Sequence, residues 1–143
     1  MNRALAALSL ALLAAGLTTA CAPTSSDIEE RVLGTVAAGS TLTVTDLLPE
    51  EGAKRFTVAC PYETAADLAA RLDVDAKAVP DLSDRDDSQA LVVVTADGID
   101  AGELPRDRVD FCSTGGAWPV YPGDADDRLA VTRNGDDVYV VTR

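Results

Sequence analysis

The sequence predicts one small α+β domain over residues 27–143: a mainly antiparallel sheet, two helices packed on one of its faces, and one disulfide. Three observations lead there. Apolar residues recur at helical spacing in two stretches, Ile28/Val32/Val36 and Leu68/Ala69/Leu72. Several other stretches alternate with period two or run as unbroken β-branched residues. Cys60 and Cys112 both fall inside this region.

The first helix is expected from Asp27 to about Val36, because Ser26 followed three residues later by Glu29 is a capping-box signature, and Gly39 ends it. In residues 40–49, Leu42 and Val44 share one face of a strand and Thr41, Thr43 and Thr45 the other. Residues 54–60 repeat the pattern, with Phe56, Val58 and Cys60 inward, Arg55, Thr57 and Ala59 outward, and Pro61 ending the strand. A second helix follows. Thr64 is its N-cap, Asp67 its third residue, and Ala65, Leu68, Ala69 and Leu72 its buried stripe. Residues 77–89 hold a proline, two serines and four aspartates without periodicity, which reads as a solvated loop. The run Ala90–Val94 is apolar on both faces and predicts the central strand, closed by Asp97-Gly98. A shorter strand at 107–112 has Val109 and Phe111 on one face and Cys112 at its end. The tail predicts a hairpin with Asn134-Gly135 at its turn, Arg133 opposite Asp136, Val131 opposite Val138 and Leu129 opposite Val140.

Residues 1–20 have one positive side chain, Arg3, and an uncharged Ala/Leu-rich run to Leu17, the pattern of a secretory signal peptide. Thr18-Thr19-Ala20-Cys21 resembles the bacterial lipobox, with Thr18 standing where that pattern prefers leucine. The resemblance implies a diacylglyceryl thioether (with palmitate among its acyl chains) on Cys21, which becomes the first mature residue, and an exported protein anchored to the outer face of the cytoplasmic membrane. Residues 22–26 would then be a short tether. Each buried methylene contributes about 0.8 kcal/mol, so two or three chains anchor durably. The competing expectation is an ordinary cleaved signal and a secreted protein. Setting Cys21 aside leaves Cys60 and Cys112 as an even pair in an oxidising compartment, where a disulfide is expected. Closing that loop would stabilise by roughly 4 kcal/mol in the chain-entropy model.

The stretches RFTVACPYETAADLAARLDVD and DSQALVVVTADGIDAGELPRDRVDF resemble a loose group of small bacterial secreted proteins and lipoproteins. Their shared pattern is a strand ending in Pro-Tyr, a helix, and an apolar strand with a D-G turn. Members often carry Trp where this chain has Ala53 and Gly where it has Cys60. The resemblance implies a similar α+β fold and no particular activity.

Residues 21–143 carry 24 acids against 11 bases, a net charge of −13, which disfavours nucleic acid and a flat approach to an anionic leaflet. There is no histidine, so Ser-His and Cys-His nucleophiles and the usual zinc ligand are absent. No phosphate-binding loop or cofactor fingerprint is present. Catalysis would have to use carboxylates, as in a cell-wall glycan enzyme, or lysine, and neither Lys54 nor Lys77 sits in an S-x-x-K or similar context. Asp84, Asp86 and Ser88, and separately Asp124, Asp126 and Asp127, have spacings that invite a Ca²⁺ test, but neither set completes a known loop. Residues 113–124 gather the one tryptophan, a tyrosine, two prolines and three glycines. Trp118 and Tyr121 could face a protein or glycan partner from this stiffened loop, against the alternative that Trp118 plugs the core beside the cysteine pair. The function expected is a non-enzymatic interaction or accessory module of the cell envelope. The rivals are a carboxylate-dependent glycan enzyme and a small binding or inhibitor domain using the Trp118 loop.

Overall fold

The structure, a computed structural model, describes residues 25–48 and 52–143. Cys21, the lipobox and tether residues 22–24 lie outside the described residues, whereas Ser25 and Ser26, expected in the tether, already belong to the first helix. In chain order the elements are α1 (Ser25–Ala38), β1 (Thr41–Thr43), a 3₁₀ turn (Val44–Leu47), β2 (Arg55–Ala59), α2 (Ala65–Leu72), a second 3₁₀ turn (Ala76–Ala78), β3 (Ser88–Val94), β4 (Ile99–Pro105), β5 (Val109–Asp110), β6 (Tyr121–Pro122), β7 (Arg128–Arg133) and β8 (Tyr139–Thr142).

The class is α+β, as the sequence predicts, but the strands form two four-stranded sheets, ordered β1-β7-β8-β5 and β4-β3-β2-β6. All pairings are antiparallel except β5 with β8, which run parallel. The chain between these two is long enough to cross over, as a parallel pair requires. Between the sheets lies the main core, where Phe56, Val58, Leu91 and Val93 of one sheet meet Leu129, Val131 and Val141 of the other, with Ile28, Val32 and Val36 of α1.

The two helices lie on opposite faces of the β4-β3-β2-β6 sheet rather than together on one. Helix α1 belongs to the main core, whereas Leu68, Ala69 and Leu72 of α2 pack on Ala59, Ala90, Val92 and Val94. The reason is the double-sided burial of β3, every residue of which is buried. Ala59 and Ala90 are register partners without exposed surface, and their small side chains let α2 approach. Thr57 and Ala59, expected to face solvent, are therefore covered. The loop 77–89 is anchored in the same layer by Val79 and Leu82, so it is less solvated than its composition suggests.

Three further departures have local causes. The strand expected over residues 40–49 stops at Thr43, where the Asp46 carboxylate accepts the Thr43 N–H at 2.7 Å and turns the chain. Residues 99–105, not foreseen as a strand, form β4, paired along its whole length with β3. Gly102 lies where α1 crosses it: a Cβ there would stand 2.5 Å from Ile28, so the close approach requires glycine. Finally, the tail hairpin pairs Arg133 with Tyr139 and Val131 with Val141. The Asn134 side-chain oxygen accepts the N–H groups of Asp136 (3.0 Å) and Val138 (2.9 Å), and Asp137 takes the left-handed conformation (φ 68°). This longer loop shifts the register by an odd number, which exchanges the faces of β8 and buries Val141 in place of Val140.

Candidate interaction groove

The groove begins where β2 ends. Pro61 has no N–H to continue the ladder, so the chain turns through Pro61-Tyr62 and closes with Glu63 N–H donating to the Cys60 carbonyl (3.2 Å). Tyr62 adopts a left-handed backbone, φ 67°. Its N–H donates to the carbonyls of Leu82 (2.9 Å) and Arg85 (3.3 Å), and Leu82 N–H returns a bond to Glu63 (3.0 Å). A non-glycine residue held at positive φ costs about 1–2 kcal/mol. Yet the ring this strain positions is 66% exposed, the one exposed large hydrophobic among the described residues.

Beneath the turn, a polar network locks three segments together. The Glu63 carboxylate accepts from Cys60 N–H (3.3 Å) and pairs with the Arg71 guanidinium (2.5 Å) on α2, both side chains being largely buried. Arg71 also donates to the Thr57 hydroxyl (2.6 Å) and to the Trp118 carbonyl. The Thr57 hydroxyl in turn donates to Pro119 carbonyl oxygen (2.9 Å). Here α2 is placed by its own N-cap, the Thr64 hydroxyl accepting Asp67 N–H at 3.1 Å.

The opposite wall is residues 112–117. Cys60 and Cys112 form the expected disulfide, with Cα atoms 5.8 Å apart. It joins the end of β2 in one sheet to the segment after β5 in the other. Beyond it, Gly115 and Gly116 are exposed and both at positive φ (73° and 85°). At the third side, Arg106 donates to Asp110 (2.8 Å) and to the Asp86 carbonyl (3.0 Å). These walls enclose an open groove of about 490 Å³, with Tyr62, Asp67 and Arg106 at its edges and the disulfide in its lining.

Trp118 and Tyr121 are not presented to a partner. Trp118 is 3% exposed and plugs the core, its indole N–H donating to Phe111 carbonyl oxygen (2.7 Å) and its ring edge-on to Phe111 (5.5 Å). Tyr121 stacks on Phe56 at 5.4 Å, and burial raises the ionisation range of its phenol. The contact loop expected from these two rings is thus a core element, because both rings find apolar partners in the gap between the sheets. The exposed aromatic is Tyr62 instead. Its sequence signal was the Pro-Tyr pair directly after a strand, where Pro61 ends the alternation that buries Phe56 and Val58.

The acidic loops gather no cluster of three metal-ligating side chains among the described residues. Asp81 is engaged by its hydrogen bonds to Ser83, which lower its pKa, and Asp87 by Arg85, whose hydrogen bond and charge do the same. No helix among the described residues is long and apolar enough to cross a membrane. No protein-family model, curated protein or solved structure matches the chain.

Proposed function

We propose that the chain is a cell-envelope lipoprotein, anchored through Cys21 to the outer face of the cytoplasmic membrane, whose folded domain serves as a non-enzymatic interaction or accessory module. The observation that carries the reading is the Cys60–Cys112 bond. A disulfide belongs to an oxidising, extracytoplasmic compartment, and pairing these two leaves Cys21 as the odd cysteine at the lipobox-like site. The groove supports the interaction role: it combines an exposed ring on a strained turn with backbone walls, while its Glu63 carboxylate is already held by Arg71 and Cys60 N–H. Labelled palmitate tests the anchor. Wild-type protein should take up label and sediment with membranes, and Cys21→Ser should do neither. Label persisting in Cys21→Ser, or unlabelled wild-type protein in the medium, overturns the assignment.

A further inference from the structure

We infer that the groove beside the disulfide binds an extended, positively charged polypeptide segment, with a lysine or arginine side chain over Tyr62 and against Asp67 and the segment's backbone along Gly115-Gly116. This rests on reading the domain as an interaction module and names the kind of partner.

Charge commits the site to a cation. Inside the groove the charges are mutually cancelled, Glu63 by Arg71 and Arg106 by Asp110. What is left uncompensated is negative. Asp67 is exposed, and its carboxylate has the Thr64 hydroxyl as its side-chain partner at 2.8 Å and no ion pair among the described residues. The loop bonded to the Tyr62 N–H carries four exposed aspartates between residues 81 and 87, of which Asp87 pairs with Arg85, the loop's one arginine, leaving a net negative charge. An anionic ligand would be repelled by Asp67 in the lining and by the net negative charge of the loop behind Tyr62. A cation approaching the exposed Tyr62 ring gains the attraction of its π face in addition to these carboxylates.

The wall opposite favours a polypeptide backbone. Gly115 and Gly116 are exposed and a Cβ built on either would meet nothing within 4 Å, so a segment has room to lie along them, while Gly115 N–H itself donates to the Cys112 carbonyl at 3.2 Å. The backbone that carries the tyrosine is held in place by two hydrogen bonds from Tyr62 N–H to the 82–85 segment. A preset platform of this kind lowers the ordering cost of binding.

The test uses the full chain in zwitterionic detergent micelles, titrated with the fluorescein-labelled peptide Gly-Lys-Ala-Lys-Gly-Lys and with its glutamate counterpart, read by anisotropy. The lysine peptide should bind at least about tenfold more tightly. Tyr62→Ala should weaken it about fivefold, and Asp67→Asn about threefold, with unfolding midpoints checked for both variants. Asp97→Asn removes the same charge at the far end of the β3–β4 hairpin and should change binding less than 1.5-fold, as roughly expected for a screened distant charge. Equal affinity for the two peptides, or Asp97→Asn weakening binding as much as Asp67→Asn, overturns the groove. Photo-crosslinking residues placed in cells at Ala117, in the groove wall, and at Asp97 separate the two readings. A basic partner segment caught from position 117 and not 97 supports the groove. One caught from 97 and not 117 overturns the groove and leaves the interaction module standing. Capture from neither overturns both.

Discussion

Gln89 offers the sharpest test of what holds the two sheets together. It sits on β3 without exposed surface, its side-chain amide donating to the Val109 carbonyl at 2.5 Å and accepting Phe111 N–H at 3.0 Å. Strand β5 uses its other edge for β8, with Tyr139 N–H donating to the Arg108 carbonyl (3.1 Å), so Val109 and Phe111 point their backbone groups at Gln89. One side chain thus replaces a missing strand partner. Gln89→Met keeps length and volume and removes both bonds, leaving a buried carbonyl and a buried N–H unpaired at about 1–3 kcal/mol each. With some return from burying a thioether in place of an amide, the net loss should be about 2–4 kcal/mol in urea unfolding at pH 7, with an unchanged m-value. Gln89→Glu adds a sign. Its neutral carboxylic acid can still donate to Val109 and accept from Phe111, whereas the carboxylate cannot donate and carries a buried charge. The folded-state pKa of this glutamate must therefore lie above the unfolded value of about 4.3. The variant should match wild type below that pH, lose stability as pH rises through it, and level off above the folded-state pKa. A Gln89→Met loss under about 0.5 kcal/mol, or a pH-independent Gln89→Glu difference from wild type, would refute the reasoning.

Four other outcomes are expected. Replacing Cys60 and Cys112 together by serine should lower stability by up to about 4 kcal/mol, read from urea midpoints under non-reducing conditions. Gly102→Ala should cost about 1–3 kcal/mol, because Ile28 of α1 occupies the space the methyl needs; a neutral result would mean that α1 does not press on β4. Arg71→Met strands the largely buried Glu63 and should cost about 3 kcal/mol with little salt dependence, while Arg133→Met breaks the exposed pair with Asp137 and should stay within about 0.5 kcal/mol. Trp118, the one tryptophan, should emit like a buried indole and resist acrylamide quenching; red-shifted, quenchable emission would return it to the surface.

The elements with local signals were legible. Helix α2 is present because Thr64, Asp67 and the Leu68/Ala69/Leu72 stripe each specify it within a few residues, and β3 is central because an apolar run on both faces needs cover on both. The disulfide followed from compartment and parity rather than from geometry. Strand β4 was not legible, since Asp100, Gly102, Glu103 and Pro105 dilute its alternation; it forms because β3 offers an edge and α1 a face. The groove was missed for a similar reason. Its parts come from residues 60–67, 106 and 112–117, and nothing local relates them. The loop singled out for its aromatic rings proved to be core, while the exposed ring lay on a two-residue turn.

The sequence by itself determined the class of the domain, its main helices and central strand, the cysteine pairing, the acidic charge and the expectation of an anchor at Cys21. These depend on composition, on periodicity over about ten residues, on the parity of the cysteines, or on a short motif such as Thr18-Thr19-Ala20-Cys21. The tertiary structure alone decided that the strands part into two sheets, that α1 and α2 take opposite faces, that the tail hairpin slips its register, and that Trp118 turns inward while Tyr62 turns outward. Each of these is a choice between surfaces of similar local propensity. It is settled by which apolar groups can be buried together at long range and by which side chains, such as Gln89, Asn134 and Arg71, are left to satisfy the backbone.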